Sequence, residues 1–66
     1  MQITVNGAPV SLDNDSTLIA LFAKLDLGGA KIAVELNRQI VPRSNYASQV
    51  LKTGDVVEIV QAIGGG

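Results

Sequence analysis

One stretch of the sequence repeats its large apolar residues at helical spacing, and this constrains the fold more than any other feature. The residues stand at i, i+3, i+4 and i+7, a spacing that places them on one face of an α-helix. They are Leu18, Leu21, Phe22 and Leu25. Elsewhere, apolar residues alternate with polar ones in short runs, as in strands with one buried face. One helix and several strands bury these faces against each other, so the pattern predicts a two-layer α+β domain.

The first two alternating runs are predicted to form a β-hairpin. Ile3 and Val5 precede Asn6-Gly7, and a second run continues through Val10. Asn-Gly is the preferred pair for a two-residue type I′ turn. A turn of this length sets Val5 opposite Ala8. Ile3 then faces Val10, so both strands present their apolar residues to the same side.

The helix has recognisable start and stop signals. Asp15-Ser16-Thr17 supplies candidate N-cap residues, and Leu27-Gly28-Gly29 is expected to end the helix because glycine adopts the left-handed conformation common at that position. Asp13 and Asp15 are close enough to form a carboxylate pair. Because acids just before a helix interact favourably with its exposed N–H groups, we interpret them as capping residues rather than catalytic ones.

The strand that follows the helix is the clearest in the sequence. Ile32, Val34 and Leu36 form its inward face. Asn37-Arg38 is predicted to turn the chain into a short run that Pro42 closes, because proline cannot donate a hydrogen bond to a neighbouring strand. This short run is therefore expected at the edge of the sheet.

The last strand is predicted over residues 56–63, after a helical turn at 44–48 and a tight turn at 53–55. Val57 and Ile59 should point inward. The opposite face carries Val56, Glu58, Val60 and Ala62. Three of these four residues are apolar, although the uncovered face of a strand is normally polar. Together with Ile63 they form a predicted partner-binding surface with Glu58 at its rim; the alternative is an ordinary apolar part of the surface.

Composition excludes several classes of protein. The chain has 66 residues, 47% hydrophobic and 17% charged, which predicts one folded domain over residues 1–63 rather than a disordered chain. A net charge of −1, with five basic and six acidic residues scattered along the chain, gives no electrostatic footprint for nucleic acid. One tyrosine, one phenylalanine and no tryptophan give no obvious platform for stacking bases. No segment has the roughly 20 apolar residues of a membrane span. We expect a cytoplasmic protein with no membrane or nucleic-acid partner.

Cysteine and histidine are both absent from the sequence. Their absence removes disulfides, thiolate nucleophiles, Cys/His metal sites and histidine acid–base catalysis. Few enzyme mechanisms survive these absences.

Three glycines, Gly64, Gly65 and Gly66, end the sequence. Glycine loses much backbone entropy on ordering and has no side chain to pack, so residues 64–66 are predicted to be a flexible tail outside the core. Two interpretations stay open for it. The tail is either a frayed terminus or linker remnant, or it carries a reactive terminal carboxyl into the active site of another protein.

Three stretches resemble the sulfur carriers of thiamin biosynthesis, the ThiS family. They are residues 17–22, residues 33–43 and the terminal glycines. The most specific piece is Asn37 followed by Ile40-Val41-Pro42-Arg43 and an aromatic three residues later, which is Tyr46 here and often tryptophan in the family. Each of these positions also has a purely structural interpretation, such as a core aromatic whose hydroxyl reaches water. The resemblance implies a ubiquitin-like β-grasp, with a mixed sheet of four to five strands on one main helix.

The resemblance also implies the chemistry of the tail. An α-carboxyl has a pKa near ~3.5, so it is ionised at pH 7 and needs activation before a nucleophile can attack it. In the family, a carrier adenylyltransferase (ThiF-like) uses ATP to form an acyl-adenylate at the position of Gly66. A persulfide from the cysteine desulfurase system then displaces AMP, and the resulting thiocarboxylate gives its sulfur to thiazole synthase (ThiG-like). No step of this cycle needs a catalytic side chain on the carrier, so the resemblance implies that the chain is not an enzyme and binds no metal or cofactor of its own.

Other functions are compatible with the same fold. A molybdopterin-type sulfur carrier or a ubiquitin-like protein modifier would also end in two glycines. A plain interaction module, in which the glycines have no role, is a third possibility.

Overall fold

The chain folds into a mixed five-stranded sheet that packs on one α-helix. The structure is a computed structural model and describes residues 1–27 and 31–61. The strands are β1 (Gln2–Val5), β2 (Ala8–Ser11), β3 (Ile32–Leu36), β4 (Gln39–Ile40) and β5 (Val56–Gln61); the helix α1 spans Leu18–Lys24. The spatial order is β2-β1-β5-β3-β4, with β1 and β5 parallel and the other neighbours antiparallel. This arrangement confirms the predicted β-grasp.

Both hairpins use turns in which two residues have positive φ. Asn6 and Gly7 have φ of 49° and 84°, as a type I′ turn requires. The predicted register is confirmed by the pairing of Val5 with Ala8 and of Ile3 with Val10. In the second hairpin Asn37 and Arg38 have φ of 51° and 70°. The turn predicted at these two residues is therefore present, with an arginine in a conformation that usually favours glycine or asparagine.

Thr17 is the N-cap of α1. It lies in the extended region, and its Oγ1 accepts a hydrogen bond from the backbone N–H of Ala20 at 3.3 Å. Thr17 was one of three predicted candidates. Asp13 and Asp15, which the sequence suggested as capping residues, do not occupy the N-cap position, because Thr17 does.

The prediction that a glycine ends α1 in the left-handed conformation is wrong. Asp26, not a glycine, occupies the left-handed position, with φ of 58°. The N–H of Leu27 donates to the carbonyl of Phe22 at 2.8 Å, and the N–H of Asp26 donates to that of Ala23 at 3.2 Å. This pair of bonds is a Schellman motif, which satisfies carbonyls that the end of a helix leaves free. The helix therefore ends before Gly28-Gly29, which lie outside the described residues.

The core joins the predicted faces of the helix and the sheet. Its buried members are Ile3, Val5, Leu18, Leu21, Phe22, Val34, Val41, Tyr46, Leu51 and Val57. Phe22 and Tyr46 meet edge to face, with ring centroids 5.1 Å apart. The Tyr46 hydroxyl was expected to reach water, but it donates to the backbone carbonyl of Ile32 at 3.3 Å. The core aromatic is thus also tied to the start of β3.

Between β4 and β5 the chain forms a short 3-10 helix over Arg43–Asn45, beginning one residue before the predicted helical turn. Pro42 precedes it as the N-cap residue. Within residues 1–27 and 31–61, no helix combines the length and apolar character needed to cross a membrane.

Candidate functional site

Strand β5 is the element that leads toward the glycine tail. It lies between β1 and β3, and its last described residue is Gln61. It is parallel to β1 over two residue pairs and antiparallel to β3 over five. The predicted tail residues Gly64, Gly65 and Gly66 lie outside the described residues, as do Ala62 and Ile63 of the predicted surface.

The two faces of β5 differ as predicted. Val57 is fully buried, and Ile59 is half-buried against the core. Val56 and Val60 are 42% and 67% exposed, and Glu58 between them is exposed as well. The outward orientation predicted for these three residues is therefore confirmed.

The register of the neighbouring strands extends this outward surface. Ala33 of β3 stands opposite Val60, and Glu35 stands opposite Glu58. Ile40 of β4 is opposite Glu35 in turn and is 79% exposed. We call the resulting set the outer sheet face; it consists of Ala33, Glu35, Ile40, Val56, Glu58 and Val60.

The position of Glu58 differs from the prediction. It was expected at the rim of an apolar surface, but Val56 and Val60 flank it along β5 and Glu35 lies across the ladder. Like charges at directly opposed positions of an antiparallel pair destabilise the sheet. The outer sheet face is thus apolar at its borders and carries two opposed negative charges near its middle.

Two asparagines hold the backbone of β5, one on each side. From the β1–β2 turn, the Asn6 side chain donates through Nδ2 to the Ile59 carbonyl at 3.1 Å, and its Oδ1 accepts from the Ile59 N–H at 2.7 Å. From the β3–β4 turn, Oδ1 of Asn37 accepts from the Val56 N–H at 2.9 Å, and Nδ2 donates to Oδ1 of Asp55 at 3.1 Å. The sequence identified both asparagines as turn residues but gave no signal for these long-range bonds.

Metal-binding clusters and depressions are the other kinds of candidate site. Among residues 1–27 and 31–61, no three carboxylates come together as a potential metal site. One open depression is lined by Ser11, Leu12, Asp13, Ser16, Ala20 and Lys24. It lies along α1 and the segment that precedes it, and it contains none of the residues of the predicted partner-binding surface.

The strand order, with β5 at the centre of the sheet and parallel to β1, defines a protein of the ubiquitin-like β-grasp class. Sequence comparison makes the assignment narrower. The model of the ThiS family matches residues 3–66, and the chain belongs to this family. This confirms the resemblance seen in the sequence.

Individual relatives agree with the family assignment. Over 66 residues that span both proteins completely, the chain is 35% identical to the sulfur carrier protein ThiS of Escherichia coli (strain K12). Its fold matches the crystal structure of the thiamine biosynthesis protein ThiS from Geobacter metallireducens with a TM-score of 0.83 and 33% identity, and the match covers 100% of both chains.

A third relative is much longer. The thiazole synthase of Paramagnetospirillum magneticum is 41% identical over 66 residues, which is all of this chain but 20% of that protein. The chain therefore spans about a fifth of the length of that thiazole synthase. One segment of the longer protein resembles the whole of this chain.

Proposed function

We propose that this chain is a sulfur carrier protein of thiamin biosynthesis, on which enzymes act and which is not itself a catalyst. The observation that carries the proposal is the likeness to the E. coli sulfur carrier over the full length of both proteins. The family model also extends through the glycines to residue 66. A carrier of this kind needs no cysteine or histidine, because the sulfur is held on carbon.

In this proposal the carboxyl of Gly66 is the group that changes. A carboxylate oxygen attacks the α-phosphorus of ATP in the adenylyltransferase, and pyrophosphate leaves. The terminal sulfur of a protein persulfide then attacks the acyl carbon, and AMP leaves. A thiol then attacks the cysteine sulfur of this acyl disulfide, so that the S–S bond of the former persulfide breaks, a protein disulfide forms and a thiocarboxylate is left on Gly66. The sulfur next passes to thiazole synthase, so the carrier ends the cycle as it began.

Gly64 and Gly65 are the approach to this carboxyl. Without a Cβ they pass through a channel too narrow for larger residues, and they adopt whichever backbone conformation the enzyme requires. Three extended glycines reach about 10 Å, at roughly 3.3 Å per residue. That length brings a carboxyl from the surface of an enzyme to a nucleotide below it.

The outer sheet face is the proposed docking surface for the partners, together with Ala62 and Ile63 next to it in sequence. The support is the exposure of Ile40, Val56 and Val60 on the same face of β4 and β5, the two strands that flank β3. A partner that covers this face also brings Glu35 and Glu58 out of water, so we expect it to offer a basic side chain between them. Burial of two opposed carboxylates without such a partner group would be unfavourable.

Thiazole synthase is one proposed partner, and the support comes from the longer P. magneticum protein. That protein is named thiazole synthase, and one segment of the same polypeptide resembles this chain. A covalent connection of this kind raises the effective concentration of two units that act together. The carrier adenylyltransferase and the persulfide donor of the cysteine desulfurase system are the other proposed partners. We place this ATP-dependent cycle in the cytoplasm.

The test is a reconstitution followed by intact mass measurement. The purified chain is incubated with the adenylyltransferase, ATP and a sulfide source. We expect its mass to rise by the exchange of one oxygen for one sulfur. The control is the same chain extended by one alanine after Gly66, which should not change in mass. An unchanged mass under conditions that convert E. coli ThiS would contradict the proposal.

A further inference from the structure

We propose that Asn6 is a positioning residue, which fixes the last part of β5 so that the tail leaves the domain in one direction. The proposal rests on the proposed function, because a fixed direction matters only if the tail has to enter a partner. Asn6 lies 53 positions before Ile59, the residue of β5 that its side chain holds.

The ladder between β1 and β5 is short. It contains the pairs Thr4 with Val56 and Val5 with Val57, after which β1 ends and β5 continues to Gln61. Within the described residues, β5 is paired beyond Val57 with β3 alone. The half of the strand nearest the tail therefore lacks a neighbouring strand on its β1 side.

The Asn6 side chain takes the place of the missing strand. The Asn6 backbone N–H donates to the Val57 carbonyl at 2.9 Å and so completes the ladder that β1 began. The side-chain amide then bonds both the N–H and the carbonyl of Ile59, at 2.7 and 3.1 Å. An amide side chain carries one donor group and one acceptor in fixed relation, as a backbone peptide does. It therefore acts as one further ladder position.

These bonds are close to the point where the tail begins. Ile59 is two residues before the end of β5 and seven residues before Gly66. If its N–H and carbonyl were left to water, only β3 would hold the end of the strand. The direction in which residues 62–66 leave would then vary, and fewer docked carriers would present their carboxyl correctly. A misplacement of about 1 Å at a reacting centre costs up to roughly a hundredfold in rate.

The turn allows the side chain to be removed cleanly. Asn6 has positive φ, which glycine adopts without strain, so Asn6→Gly keeps the type I′ turn and deletes only the amide. Asn37→Gly is a matched control. Like Asn6, Asn37 is the first residue of a turn, has positive φ and makes two side-chain hydrogen bonds. The bonds of Asn37 differ in position, because they are made to Val56 and Asp55 at the start of β5.

The experiment compares wild type, Asn6→Gly and Asn37→Gly. Native-state hydrogen exchange should show faster exchange at the Ile59 amide in Asn6→Gly only, and at the Val56 amide in Asn37→Gly only. Thiocarboxylate formation is then followed as the carrier concentration is varied. We expect kcat to fall roughly tenfold in Asn6→Gly with KM within about twofold of wild type, because docking is intact and the tail is misdirected. Asn37→Gly should keep both constants within about twofold.

Two outcomes would overturn the positioning role. One is an equal loss of kcat in the two variants, which would mean that both asparagines matter only for stability. The other is unchanged exchange at the Ile59 amide in Asn6→Gly. Should Asn6→Gly be unfolded, Asn6→Asp replaces it: the variant keeps an acceptor for the Ile59 N–H and loses the donor to the carbonyl, and the same split between kcat and KM is expected. A wild-type chain that is never thiocarboxylated would instead refute the proposed function itself.

Discussion

Neutralising one of the two opposed glutamates should stabilise the free protein. In Glu58→Gln, the repulsion between Glu58 and Glu35 disappears while the length of the side chain is kept. Two unit charges about 6 Å apart in water repel by ~0.7 kcal/mol. Screening over a Debye length of about 8 Å at physiological salt reduces this to ~0.3 kcal/mol. The result lies within the range of about 0.2–1 kcal/mol measured for cross-strand pairs.

The measurement is urea unfolding of wild type, Glu58→Gln, Glu35→Gln and the double variant, at low and high salt. For a domain of this size, ~0.3 kcal/mol corresponds to roughly 1–2 °C in Tm, so thermal unfolding provides a second reading. Each single variant should gain the same free energy of unfolding, and the double variant should gain no more than one of them. At about 1 M salt, where the Debye length is near 3 Å, the gain should vanish.

The same substitution also tests the docking surface. If a partner places a basic side chain between Glu35 and Glu58, Glu58→Gln should weaken the complex although it stabilises the carrier. A gain in stability that is additive in the double variant and independent of salt would refute the electrostatic reasoning. If wild type and Glu58→Gln bind both enzymes with equal affinity, the proposed contact between the glutamates and a basic side chain of the partner is refuted.

Other substitutions separate the fold from its partners. Val60→Asp should weaken the complexes with adenylyltransferase and thiazole synthase by about 1–3 kcal/mol in titration calorimetry without unfolding the carrier. Ile19→Asp, on an exposed position of α1, is the control and should change neither affinity. Tyr46→Phe loses the bond to a backbone carbonyl and should lower the free energy of unfolding by about 0.5–1.5 kcal/mol. Gly65→Val should block adenylation, measured by pyrophosphate release; normal release would remove the steric argument for the glycines.

Local patterns predicted the strands and their inward faces correctly. The Asn6-Gly7 pair fixes both a turn type and a register, so the pairing of Ile3 with Val10 followed from two residues. Alternation likewise placed Val57 inside and Val60 outside, because successive side chains of a strand point to opposite faces. These features depend on neighbours in sequence, which is why the sequence sufficed for them.

Features that depend on distant residues were not predictable in the same way. Glu35 and Glu58 become opposed only through the register of β3 with β5, which no local pattern sets. Leu51 is 2% exposed but lies outside every periodic run, so nothing in the sequence marked it as core. The end of α1 was misplaced because glycine is the commonest residue in the left-handed position, and here Asp26 occupies it.

The tail follows β5 directly in sequence, and β5 carries part of the proposed docking surface, which limits where a partner can hold its active site. Val60 is the last described residue of the outer sheet face on β5, and Gly66 lies six positions after it in sequence. At roughly 3.3 Å per extended residue, the carboxyl of Gly66 lies at most about 20 Å from the side chain that contacts the partner. A partner that covers Val60 must therefore have its reacting centre within that distance. Two enzymes cannot cover one strand and receive one tail at the same time. If both proposed partners use the proposed docking surface, adenylyltransferase and thiazole synthase therefore have to bind the carrier in turn.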